Sequence, residues 1–257
     1  MGETELKTAP PDFVGVGTQR SGTSWWFQLL LDHPDIVPPV QKRKKELHFF
    51  GPFCGAPMAG EDVARYHELF PPRAAGTLSG EWTPRYMFDF WTPRLLARAA
   101  PDAKLLVLLR DPIERYRSGV PHQTGFTPKR GDAAIAADAA LRGCYATQLR
   151  RVLAHFDAQQ VLVLQYERCT LEPLEQYART LRFLGVRDDF EPSGVGELRG
   201  RTRASEKEPL WPDLLEELHQ TLDPEMLELD ALVPDLDLGL WPNFAHLAAA
   251  GALAEGT

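Results

Sequence analysis

The chain has 257 residues, 44% of them apolar and 25% charged, which suits one α/β domain with a full core and the balance of an ordinary soluble globule. Its formal net charge of −8 weighs against nucleic acid as the main partner and mildly against long polyanions. No apolar run reaches the 18 or more residues of a membrane span, residues 1–7 lack the apolar core of a signal peptide, and Cys54, Cys144 and Cys169 read as reduced thiols without metal spacing. A cytoplasmic protein with no integral membrane association is expected.

In chain order, four short apolar runs read as buried parallel strands: Phe13–Gly17, Leu78–Trp82, Leu105–Leu109 and Val161–Gln165. Helical patterns cover Gly22–Asp32, Asp62–Leu69, Pro93–Ala100, Pro112–Val120, Asp132–Phe156 and Leu171–Leu184. Pro209–Leu222 and Pro224–Leu232 then each open on a first-turn proline. Strands alternating with helices predict a single α/β domain over 13–247, a central parallel sheet flanked by helices, with flexible tails at 1–12 and 248–257. Ligands then belong outside the carboxyl ends of the strands.

The first strand runs into Gly17-Thr-Gln-Arg20-Ser-Gly22-Thr-Ser24 and then into an amphipathic helix. Strand, tight turn and helix leave free N–H groups at a helix N-terminus, an anion cradle. The glycines keep Walker spacing, Gly17-x4-Gly22, but Thr23 stands where the Walker lysine belongs and the cation comes earlier, at Arg20. A dinucleotide fold fits poorly, since Gly15-x-Gly17 is followed by glycine at 22 and no acid ends a second strand at the right distance. In Lys104–Ser118, Arg110 ends a strand, Pro112 opens a helix and Ser118 lies about two turns on. A strand-end arginine and a hydroxyl on the next helix can clasp one phosphate from two sides. An ion pair of Arg110 with Glu114 would explain the arginine but not the serine.

Arg20-Ser21-Gly22-Thr23-Ser24-Trp25 resembles the phosphosulfate loop of sulfotransferases that use 3′-phosphoadenosine 5′-phosphosulfate (PAPS), in particular the bacterial and heparan sulfate-type branch. The resemblance runs from about Phe13 to Trp241 and implies the P-loop-kinase-like sulfotransferase fold. It implies that Arg20 and the backbone of 21–24 hold the phosphosulfate, that Trp25 stacks on adenine, and that Arg110 and Ser118 grip the 3′-phosphate. Tyr166, in Gln165-Tyr-Glu167, would approach the adenine edge or simply cap the core. Leu198-Arg-Gly-Arg-Thr-Arg203 is similar to a Lys-Gly-Arg loop that closes over the nucleotide, so Arg199, Gly200 and Arg201 would cover the 3′-phosphate.

Lys45-Glu46-Leu47-His48-Phe49-Phe50 is similar to the segment that carries the catalytic carboxylate in that branch. An acceptor hydroxyl needs a group within hydrogen-bond reach to take its proton, so Glu46 is the expected general base, with Phe49 and Phe50 shielding it. An ion pair of Glu46 with Lys42, Arg43 or Lys45 is the plainer reading of the same residue. His48 either orients Glu46, serves as the base itself or is structural. Arg20 would neutralise charge on the departing oxygen. Gly80-Glu-Trp82-Thr-Pro-Arg85-Tyr86 resembles a segment near the acceptor pocket, where Trp82 replaces a lysine and implies a less anionic acceptor; a core tryptophan is equally consistent. Arg85, Tyr86 and His122 complete the candidate acceptor site. The remaining histidines show no ligand spacing, and no metal is expected. The resulting reading is sulfuryl transfer from PAPS to a hydroxyl of a small-molecule, glycan or lipid acceptor. A P-loop-type small-molecule kinase and a non-catalytic nucleotide-binding protein of the same fold are the alternatives.

Overall fold

A computed structural model of the chain describes residues 8–40, 45–72, 75–124, 133–195 and 209–248, with the backbone alone at 121–124. Five strands, β1 (Phe13–Gly17), β2 (Ile36–Val37), β3 (Leu78–Trp82), β4 (Lys104–Leu109) and β5 (Val161–Gln165), form one parallel sheet ordered β2-β3-β1-β4-β5. The four expected strands are present. The addition, β2, is two residues long and too short to leave a sequence pattern. The chain leaves β1 for one edge, returns to β3 beside β1, and crosses to β4 on the other side of β1. That crossing makes the carboxyl end of β1 the switch point of the sheet.

β4 shows why both faces need cover. Leu105, Val107 and Leu109 point into one core and Leu106 and Leu108 into the other, all with no exposure. The first core is closed by α2 (Gly60–His67), α3 (Thr92–Ala99), α4 (Pro112–Thr124), α5 (Ala133–Leu141), α6 (Tyr145–Leu153) and α9 (Pro212–Leu232). The second is closed by α1 (Thr23–Asp32), α7 (Tyr166–Leu171) and α8 (Pro173–Leu184). Across β1 and β3, Gly15 is in register with Trp82, and a Cβ on Gly15 would fall 2.0 Å from the indole. The missing side chain is what admits Trp82 to the second core.

Four expected helices differ from those observed. Asp132–Phe156 is two helices, broken at Arg142-Gly143-Cys144, where the Gln148 amide donates to the carbonyls of Leu141, Arg142 and Cys144. The last four carbonyls of α5 are taken by the N–H groups of Arg142, Gly143 and Cys144 and by the Arg115 guanidinium, and Gln148 ties the turn between the two helices together. Leu171–Leu184 divides at Glu172, which precedes Pro173 and is barred from helical geometry. Pro209–Leu222 and Pro224–Leu232 are instead a single helix, α9, with Pro224 inside it. Leu218, Leu222, Met226 and Leu229 bury one continuous stripe on the first core, and that packing overrides the proline's lost hydrogen bond, roughly 3 kcal/mol in isolation.

The connection 45–50 has no regular structure of its own and is pinned to β3. The backbone N–H of Leu47 donates to Thr83 Oγ1 (2.9 Å) and Glu81 Oε2 (3.3 Å), that of His48 to Thr83 Oγ1 (3.3 Å), and that of Phe49 to Tyr86 Oη (2.9 Å). Beneath them Glu81 is fully buried and accepts from Thr83 (2.6 Å), Tyr66 (3.0 Å) and Tyr86 (3.1 Å). Burial pushes its carboxyl up to about 7, against the pull of those donors. The folded state therefore holds this proton more tightly than the unfolded chain, whose carboxyl titrates near 4.5. Its stabilising effect is complete below that value and is lost as pH rises through about 7, an effect of roughly 3 kcal/mol. Urea denaturation between pH 5 and 8 should show stability falling with pH, and Glu81→Gln, a permanently neutral side chain, should flatten that slope. An unchanged slope in the variant would mean that Glu81 stays ionised in the fold.

Candidate active site

β1 ends at Gly17 and α1 begins at Thr23, with the turn between them at the switch point of the sheet. Gly22 takes φ 84°, and a Cβ there would meet the Tyr166 ring at 2.6 Å, so both the turn and the packing require glycine. No side chain caps α1 and no acid lies in its first turn, which leaves that positive helix end open to an anion. The turn borders a cleft of about 750 Å³, within the usual range of ligand pockets. Residues 22–25, Arg20, Lys45, Glu46, Pro84, Arg110, Ser118 and Tyr166 all line it.

At one end of the cleft, Arg20, Arg110 and Ser118 meet. Arg20 Nε donates to Ser118 Oγ at 3.1 Å, and Arg110 Nη1 donates to the Arg20 carbonyl at 3.3 Å. The Arg110 guanidinium lies 5.1 Å from the centre of the Tyr166 ring, which is edge-on to Trp25 at 6.4 Å. Glu114 sits 2.7 Å from Arg117 and only 3.9 Å from Arg110, so the ion pair with Arg110 exists but is the looser of the two. Burial first, and the neighbouring Arg110 charge second, pull Arg20 below the usual guanidinium range. Two neighbouring like charges favour a bound anion. Arg110 Nε and Trp25 Nε1 are both buried without a hydrogen-bond partner. Unsatisfied donors in residues that line a cleft fit a ligand rich in acceptors, such as a nucleotide phosphate.

At the other end, Lys45 reaches back over the turn. Its Nζ lies 2.8 Å from Thr23 Oγ1, 3.1 Å from Ser24 Oγ and 3.4 Å from Glu46 Oε1. Burial lowers the Lys45 pKa, and Glu46 opposes that shift. Glu46 is bracketed, since its second oxygen, Oε2, is 3.1 Å from His48 Nε2. Arg20 and His48, one in each loop, both take left-handed backbone geometry, at φ 70° and 51°. The rings of Phe49 and Phe50 pack on Tyr66, and Phe50 also on Tyr86. Lys45 escaped the sequence reading because it stands in a cationic run, 42–45, that looks like a solvated loop. Its distinguishing signal was adjacency to Glu46.

The expected acceptor residues are placed otherwise. Trp82 has no exposed surface and donates from Nε1 to the Gly17 carbonyl at 3.1 Å, so it is a core residue and offers the acceptor no apolar face. Tyr86 is buried and its hydroxyl is spent on Glu81 and Phe49. Arg85 is exposed and donates from Nε to both oxygens of Asp89 (2.9 and 2.8 Å). Of residues 80–86, Pro84 lines the cleft. The side chain of His122, and Arg199, Gly200 and Arg201 altogether, lie outside the described residues, as do Lys42 and Arg43.

The chain is similar to human heparan sulfate glucosamine 3-O-sulfotransferase 3B1, with 28% identity over 190 residues that cover 69% of this chain and 46% of the relative. It is also similar to bifunctional heparan sulfate N-deacetylase/N-sulfotransferase 4 of Mus musculus, with 25% identity over 71% of this chain and 23% of that protein. The chain thus spans less than half the length of these curated relatives. Among solved structures, a sulfotransferase from Alicyclobacillus acidocaldarius superposes with a TM-score of 0.73 and 28% identity, covering 91% of this chain and 99% of that one. The model of the sulfotransferase domain matches residues 10–193, from just before β1 to past α8 and across both ends of the cleft, so the chain belongs to the sulfotransferase family and carries its P-loop-kinase-like fold.

Proposed function

We propose that the protein transfers a sulfuryl group from PAPS to a hydroxyl of a small-molecule, glycan or lipid acceptor, with Glu46 as general base. One arrangement carries this reading: a phosphate-clasping trio, Arg20, Arg110 and Ser118, and a Lys45–Glu46 pair lie in the same cleft, on either side of the α1 N-terminus. When bound, the donor supplies an activated sulfuryl group and a phosphate leaving group. The protein's part is positioning and charge. Arg110 and Ser118 hold the 3′-phosphate, and Arg20, turned toward Ser118, joins them there. Lys45, with the N–H groups of the α1 first turn, faces the charge that grows as the sulfur–oxygen bond breaks. Glu46 takes the acceptor proton, and His48, whose Nε2 lies 3.1 Å from the Glu46 oxygen that Lys45 does not contact, fixes the carboxylate's orientation. The relatives' names point to glycan hydroxyls as the first acceptors to try. Transfer of label from radioactive PAPS to a panel of glucosamine-containing oligosaccharides, aliphatic alcohols and phenols tests the assignment directly, and incorporation into no member would count against it.

The nucleotide end makes its own forecast. Calorimetry should find 3′-phosphoadenosine 5′-phosphate bound far more tightly than adenosine 5′-phosphate, since each charge-assisted hydrogen bond to the extra phosphate contributes about 1.5–3 kcal/mol. Ser118→Ala should narrow that gap. Equal affinities for the two nucleotides would remove the basis of the assignment.

The two cations should separate kinetically. Lys45→Ala should lower kcat by about 10²–10³ with the nucleotide Kd little changed, the behaviour of a donor that acts in the transition state. Arg20→Ala should chiefly raise the nucleotide Kd. The reverse pattern would return the sulfuryl end to Arg20.

Glu46→Gln keeps the side chain's size and loses its basicity. It should cost about 10²–10⁴ in kcat on an aliphatic alcohol while nucleotide affinity persists. His48→Ala should cost much less. A dead histidine variant beside an active glutamine variant would transfer the role of base to His48.

A further inference from the structure

α9 and the C-terminal segment bring together three side chains that the sequence keeps apart. His219 and Asp223, four residues apart, share one face of α9, and His246 arrives from the segment that follows Trp241. His219 Nδ1 is 2.9 Å from Asp223 Oδ1, and His246 Nε2 is 3.0 Å from Asp223 Oδ2. One ligand atom from each of the three residues falls within 4.8 Å of the others. We propose that His219, Asp223 and His246, none of which lines the cleft, form a binding site for a divalent transition-metal ion of the zinc class.

The chemistry of the three donors sets the class. Two imidazoles and one carboxylate suit zinc, cobalt, nickel or copper, whereas magnesium and calcium prefer all-oxygen sets. Bonds of about 2.0–2.2 Å in tetrahedral array put ligand atoms roughly 3.3–3.5 Å apart. The two histidine–carboxylate distances are near that value but run to different Asp223 oxygens, so closure on an ion needs the carboxylate and both rings, whose ligand atoms lie within 4.8 Å of one another, to turn toward one centre. Asp223, if ionised, only accepts hydrogen bonds, so each facing ring nitrogen carries a hydrogen in the metal-free molecule. A metal ion takes the place of those hydrogens, and the two protons shift to the other ring nitrogens or leave. The rings are held ready by Phe244, which is fully buried and lies 5.5 Å from His219 and stacked at 6.4 Å on His246. His246 is half exposed, which leaves an entry path and room for a water in the fourth position.

The ion would fasten the C-terminal segment to α9. That segment also grips the carboxyl ends of β4 and β5: Asn243 donates from its side chain (2.8 Å) and backbone (3.2 Å) to Asp111 Oδ2, and Trp241 Nε1 donates to Glu167 Oε2 (2.8 Å). Asp111 follows Arg110 directly, so the clip ends one residue from the nucleotide trio.

The test uses the full chain after chelator treatment. Zinc titration by calorimetry should give one ion per chain with a micromolar or tighter Kd, and cobalt should give the visible absorption bands of a four-coordinate site. At a hundredfold excess over Kd, Tm should rise by about 5–10 °C. His246→Ala should weaken binding by more than about 100-fold and abolish the Tm shift, since loss of even a ligand's hydrogen-bonding partner costs 10–100-fold. Asp223→Asn, which keeps the shape of the cluster and, with one ring in its other tautomer, both of its hydrogen bonds, should do the same and covers the case in which the histidine variant is unstable. No saturable zinc binding, or stoichiometric binding that survives both substitutions, would overturn the proposal.

Discussion

Glu81 is buried without exposure and, among the described residues, pairs with no cation, yet three side-chain hydroxyls and a backbone N–H converge on it. What it supports is a loop that cannot support itself. Residues 47–49 make none of their hydrogen bonds in a helix or strand, and their N–H groups need acceptors in a half-buried setting. Glu81, Thr83 and Tyr86 supply those acceptors from β3 and the turn after it, and Trp82 adds a backbone bond to the Lys45 carbonyl at 3.2 Å. Lys45 and Glu46 are therefore positioned by the sheet although they stand on a loop. The reach of Lys45 to Thr23 and Ser24 then ties the β3 side of the cleft to the β1 side. The cleft has two rigid walls, and the contact between them is polar.

The protein's overall charge is misleading at this site. The molecule is acidic, yet Arg20, Arg110 and Lys45 converge in one cleft, with Glu46 and Asp32 as carboxylates among its lining residues. Net charge governs solubility and long-range behaviour, whereas an anion in the cleft responds to charges within a few ångströms and a low local dielectric. The acidic surroundings still matter for larger acceptors, because a polyanion has to approach across them.

How much the sequence disclosed follows from how local each feature is. The turn between β1 and α1 was legible because strand, glycines and helix start lie within a dozen residues. Arg110 and Ser118 were legible because two turns of a proline-started helix fix their relation. Lys45 was not, because its partners Thr23 and Ser24 lie about twenty residues away and only the fold brings them near. Trp82 stays open between cleft and core in the sequence for a related reason. In a central parallel strand both faces are buried, so alternation no longer separates core from cleft, and the gap left by Gly15 shows only once the strands are in register. α9 was cut in two because a proline is a local signal and the stripe that overrides it is a tertiary one. His219 and His246 had no ligand spacing for the same reason as Lys45: a turn after α9 folds one back onto the other.

Arg20 and His48 hold left-handed backbone geometry without being glycine, one in each of the loops that meet across the cleft. Such a conformation costs on the order of 1 kcal/mol per residue and persists where the surroundings dictate it. Glycine or asparagine at either position would relax the backbone and delete the side chain that the cleft uses. Stability and chemistry thus pull these two positions in opposite directions. Breeding the protein for heat resistance alone would drift toward glycine there, and it would yield a sturdier molecule whose cleft had lost a cation at one end and, at the other, the imidazole beside Glu46.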